Sequence, residues 1–124
     1  MMINNFMKSI ALLLTFVLSE ISFAQSTTVH AHLASPDKYQ VLLDNEQVLV
    51  LRMTLKPGEH DNWHKHNAET VYFEQGGKAK IKTSEVDVVE LDIPDGFVMW
   101  HDAWEHQVSN IGGTTITAII VERK

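Results

Sequence analysis

The histidines carry the first chemical signal. His64 and His66 flank Lys65 at the head of the stretch WHKHNAETVYFEQG, residues 63 to 76. In an extended chain, residues two apart project to the same side, so the two imidazoles stand together while Lys65 turns away. A transition-metal site needs three or four nitrogen or oxygen donors converging on one point, and this pair supplies two of them. Glu69 shares the apolar face of ETVYFEQ with Val71 and Phe73. A carboxylate on such a face costs several kcal/mol unless a partner offsets its charge, and a cation shared with the histidines is the most direct partner. In the later stretch WEHQVSN, His106 has the parity of Val108 and points inward with it. His64, His66, Glu69 and His106 are therefore the candidate metal ligands.

The remaining histidines read differently. His30 and His32, in VHAHL, lie in a polar stretch with no inward carboxylate nearby and are taken as surface residues. His60 sits in the loop KPGEHDN and is expected to face solvent. His101 ends the run FVMWH, which is apolar on both faces, so parity leaves it either lining the interior or closing a strand. It is a candidate for a catalytic acid or base, with His60 or Glu105 at the rim as alternatives; the three tryptophans are read as packing residues.

The segments that must position these groups are all short. Runs such as YQVLL, QVLVLRMTL, ETVYFEQ, KAKIKT, VDVVELDI, FVMWH, EHQVSN and TTITAIIVERK alternate with turn signals such as DNE, KPGEHDN, GG, PDG and IGG. Their β-branched and aromatic content and their period of two predict strands, and no stretch carries a capped helical period over three turns. This is the pattern of an all-β sandwich or barrel. Alternation places Leu49, Leu51, Met53 and Leu55 inward with Arg52 outward, and Ala79 and Ile81 inward with Lys78, Lys80 and Lys82 outward.

Composition narrows the function classes. The chain has 124 residues, enough for one domain, and no cysteine, which removes thiolate catalysis and thiolate metal sites. Its formal net charge of −6 argues against a nucleic-acid partner. Residues 1–24 carry Lys8, an apolar run from Ile10 to Leu18 and the small residues Ser22 and Ala24 around an aromatic, the form of a secretory signal peptide. That apolar run is about half of the roughly 20 residues that span a bilayer, so no membrane association is expected once the leader is removed. Export to the periplasm or the medium follows, with residues 25–38 as an N-terminal arm and 39–124 as the folded barrel.

Gly58-x5-His64-x-His66-x2-Glu69-x6-Gly76 resembles the first motif of the cupins, and Gly96-x9-His106-x3-Asn110 resembles the second. The resemblance covers nearly all of the chain beyond the arm. It implies a single jelly-roll barrel with a divalent transition metal, one of Fe, Mn, Ni, Cu or Zn, held inside by His64, His66, Glu69 and His106. It implies turn roles for Gly58, Gly76 and Gly96, and a turn-closing role for Asn110. The spacer between His66 and Glu69 is shorter than in the family, and Asp102 and Trp104 replace the usual proline and glycine of the second motif. Three functional readings follow: a metal-dependent oxygenase, or isomerase or lyase, acting on a small molecule; a non-catalytic module binding a metal or small ligand; and a metal-free jelly roll. Pairing into a homodimer is a further expectation from the resemblance.

Overall fold

The computed structural model describes residues 27–124, so the leader-like stretch 1–24 lies outside the described residues. One short helix, α1 (Ala31–Ala34), precedes nine strands: β1 (Tyr39–Asp44), β2 (Val48–Leu55), β3 (His64–His66), β4 (Glu69–Gln75), β5 (Gly77–Lys82), β6 (Val88–Ile93), β7 (Val98–His101), β8 (Trp104–Asn110) and β9 (Ile116–Arg123). They form a five-stranded sheet in the order β1-β2-β9-β4-β7 and a four-stranded sheet in the order β3-β8-β5-β6. Every pairing between these strands is antiparallel.

The alternation read from the sequence sorts the faces. Leu49, Leu51, Met53 and Leu55 of β2, Val71 and Phe73 of β4, and Ile116, Ala118 and Ile120 of β9 all lie buried, as do Ala79 of β5 and Val108 of β8 from the other sheet. Each full burial of a large aliphatic chain contributes about 1.5–3 kcal/mol, so this shared interior is what holds the sheets together. Arg52 points out and meets Glu74 at 3.6 Å.

Two side-chain details close the ends of the barrel. Gly76 sits so close to the turn between β6 and β7 that a Cβ there would lie 1.9 Å from the carbonyl oxygen of Ile93. Buried Asn110 donates from Nδ2 to the carbonyl oxygens of Leu55 and Thr114, at 2.9 and 2.7 Å, and its Oδ1 accepts the Gly112 N–H. It ties the start of the β8–β9 loop to the end of β2.

The N-terminal arm is docked. The Lys65 N–H donates to the Val29 carbonyl, the Asn62 N–H to Ser35 Oγ, and Ala31 and Ser35 are buried. Consequently His30 is not the incidental surface residue expected. It makes a parallel bridge with Lys65, its ring is only partly exposed, and burial lowers its pKa.

Candidate metal centre

Three imidazoles meet inside the shell. His64 and His66 project to one side of β3, and β8 pairs with β3 so that His106 stands directly opposite His64. All three are buried, and their ring centroids lie 4.6, 4.6 and 5.2 Å apart. One nitrogen from each falls within 4.8 Å of the others.

Hydrogen-bond partners decide which nitrogens carry protons. Nδ1 of His64 lies 2.7 Å from the Asn62 carbonyl, which can only accept, so that nitrogen is the donor and Nε2 presents a lone pair. Nδ1 of His66 donates to Oε1 of Glu122 at 3.1 Å. The Nε2 atoms of His64 and His66 stand 2.9 Å apart. At that distance the two atoms need either a shared proton or a metal ion between them. Nitrogens bound at right angles to one ion, each about 2.05 Å from it, would stand about 2.9 Å apart.

The electrostatics of His64 and His106 suit metal ligation. Burial, with the neighbouring His66 adding to it, pushes the His64 pKa down to about 4. Burial and the other imidazoles push His106 down to about 2. At neutral pH these two rings are therefore neutral, the form that ligates metals. Neither ring nitrogen of His106 has a hydrogen-bond partner although both are buried. Such an orphan costs about 1–3 kcal/mol, a cost that coordination would remove. The donor set thus fits a divalent transition ion.

Glu69 is held apart from the imidazole trio. The strand of the histidines ends at His66, and across Asn67 and Ala68 the chain passes from the four-stranded sheet to the five-stranded one. Glu69 therefore reaches the other edge of His66, its Oε2 lying 3.1 Å from Nδ1. Together with Glu122 it makes a second cluster around His66. Its Oε1 accepts the Trp104 indole N–H at 3.0 Å, and burial raises its pKa.

Sequence reasoning missed two buried acids. Glu122 follows Ile116, Ala118 and Ile120 at a spacing of two, so its inward direction was readable from β9, and its Oε1 also accepts the Asn67 N–H at 2.8 Å. Asp61 lies outside any strand and offered no periodic signal. It accepts the Tyr39 hydroxyl at 2.6 Å and the Val108 N–H at 2.7 Å, lies 3.6 Å from Nδ1 of His64, and is pushed up to about 6 by burial.

A cavity runs from the imidazoles into the barrel. It is bordered by His66, Glu69, Trp104 and His106 at one end and by aliphatic side chains beyond, with about 50 Å³ of room for water centres. His101 does not line it; its ring stacks on Trp104 at 3.6 Å and Nδ1 contacts the Asp102 carbonyl. His60 is exposed, as expected.

Solved structures place this architecture. A cupin domain from Bordetella pertussis superposes with a TM-score of 0.62 at 25% identity, covering 69% of this chain and 91% of that one. The chain is a cupin by fold. A cupin-family protein with a double-stranded β-helix fold from Methanocaldococcus jannaschii (TM-score 0.54, 15% identity, 68% and 77% coverage) shares this cupin architecture. So does a double-stranded β-helix protein from Klebsiella pneumoniae (TM-score 0.53, 17% identity, 79% and 90% coverage). No family model and no curated protein sequence matches this cupin.

Proposed function

We propose that this cupin holds a divalent transition metal through His64, His66 and His106 and acts as a metal-dependent enzyme on a small molecule, of the oxygenase or the isomerase or lyase class. The observation that carries the reading is the pair of Nε2 atoms 2.9 Å apart beside a His106 with no hydrogen-bond partner, at a cavity. A bound ion would supply a Lewis acid or a redox-active centre with open positions. The chain supplies the rest. Asn62 and Glu122 orient the ligand rings, and the aliphatic walls keep water out. Glu69 faces the cavity with one oxygen tied to Trp104 and the other, Oε2, without a hydrogen-bond partner. Burial raises its pKa, which suits it to take up and return a proton. We assign Glu69 that role in place of the fourth ligand position, and we assign none to His101.

The second reading is a non-catalytic metal- or ligand-binding module, favoured by the small number of proton-handling groups at the cavity. Export rests on the leader-like stretch alone, and homodimerisation on the cupin resemblance.

The test is elemental analysis of protein purified without a histidine tag. About one equivalent of a transition metal per chain is expected. Less than a tenth of an equivalent, with no uptake of added Fe(II), Mn(II) or Zn(II), would exclude the metal centre. Oxygen uptake and product analysis across small diols, thiols and diketones then separate enzyme from binding module.

A further inference from the structure

The cavity beyond the imidazoles has a distinctive chemistry. No lysine or arginine lines it. The Tyr39 hydroxyl is engaged by Asp61 and the Trp104 indole by Glu69. The remaining surface is apolar, including Met53, Phe73, Ile81, Met99 and Ile120. Its volume of about 50 Å³ at water centres holds about three to five water-sized groups.

Resting on the metal-centre reading above, we infer that the site selects an uncharged small molecule with a short aliphatic body, presenting adjacent hydroxyl and carbonyl oxygens to the three-histidine centre. A charged carboxylate in the same place would lose its hydration with no side-chain cation to replace it, whereas a methyl group there gains from apolar burial. Adjacent oxygens match neighbouring open positions on an ion held by three donors on one side.

Acetoin and lactate test this directly, because they share the hydroxyl and the carbonyl carbon and differ in carrying a methyl group or an anionic oxygen. In water the anion binds a divalent cation more tightly, so a preference for acetoin reports the protein. Tag-free protein loaded with Co(II) is titrated with each, following the visible Co(II) bands. Half-saturation by acetoin at a concentration at least tenfold below that of lactate is expected. Equal affinity, tighter lactate, or no spectral response to acetoin overturns the inference while leaving the metal centre standing. Failure of Co(II) to give protein-bound bands removes the metal-centre reading itself, and the inference with it. Met99→Lys places an ammonium on the wall at a partly exposed position, and should shift the ratio toward lactate by tenfold or more. An unchanged ratio in that variant would put binding outside the cavity and overturn the assignment.

Discussion

Glu69 and Glu122 face each other across β4 and β9, and each brings a carboxylate oxygen to 3.1 Å from the same nitrogen of His66. Only the Glu122 contact has hydrogen-bond geometry. Glu122 thus sets the tautomer of His66, and Glu69 keeps an oxygen for the cavity. A carboxylate behind a ligating imidazole raises the basicity of the far nitrogen and holds the ring in place.

Glu122→Ala should lower metal affinity about 10- to 100-fold, the usual cost of losing such a partner. It should also cost about 1–3 kcal/mol of stability by stranding the buried Asn67 N–H. Glu122→Gln keeps an acceptor for that N–H and should restore most of the stability but less of the affinity. Metal titration beside urea unfolding reads both; equal recovery of the two would make Glu122 structural only.

His106→Leu should abolish stoichiometric metal uptake. In chelator-treated protein the same change should leave stability equal or raise it by about 1–3 kcal/mol, because two buried unpaired nitrogens are removed. With metal present the order reverses, since the wild type gains stability by mass action. A variant that binds metal normally and is destabilised in chelator would make His106 a packing residue. His30→Ala should leave metal content unchanged.

The metal-free protein should respond to acid through opposing groups. His64 and His106 have folded pKa values of about 4 and about 2, below the 6.5 of the free side chain. The unfolded chain therefore takes up their protons first, and stability falls as the pH drops below 6.5. Asp61, raised from 3.8 to about 6, works the other way: between those values the folded protein holds a proton that the unfolded chain has released. Glu69 is raised too and acts in the same sense as Asp61. Asp61→Asn removes one opposing contribution, so its stability should fall more steeply than the wild type's between about pH 6 and pH 4. Urea unfolding of chelator-treated protein at pH 7, 5.5 and 4.5 checks the slope, and parallel profiles would refute it.

Gly76→Ala should prevent folding or cost at least about 3 kcal/mol, because its Cβ would lie 1.9 Å from the Ile93 backbone oxygen. Gly113→Ala meets nothing within 4 Å and should change stability by no more than about 0.5 kcal/mol. Thermal melting of the two variants side by side makes the comparison.

The fold was legible because the directions of strand side chains are a local property. Period-two alternation alone places Leu49, Leu51, Met53 and Leu55 inside, brings Glu69 to the face of Val71 and Phe73, and turns His106 inward with Val108. The same rule applied to β9 would have revealed Glu122, which the charged residues Arg123 and Lys124 beside it masked. Asp61 carried no such signal, because a residue outside a strand has no face assigned by alternation.

By itself, then, the sequence determined an all-β shell and which faces of its strands are buried, since those depend only on the parity of neighbouring residues. The tertiary structure alone decided which buried groups meet. Whether β3 and β4 continue in one sheet or part at Asn67 depends on their partners, β8 for one and β7 and β9 for the other. That choice carries Glu69 to the far edge of His66 and brings Glu122, 56 residues away along the chain, to the same nitrogen. Strand pairing between distant segments is a property of the whole closed barrel, and no local pattern encodes it.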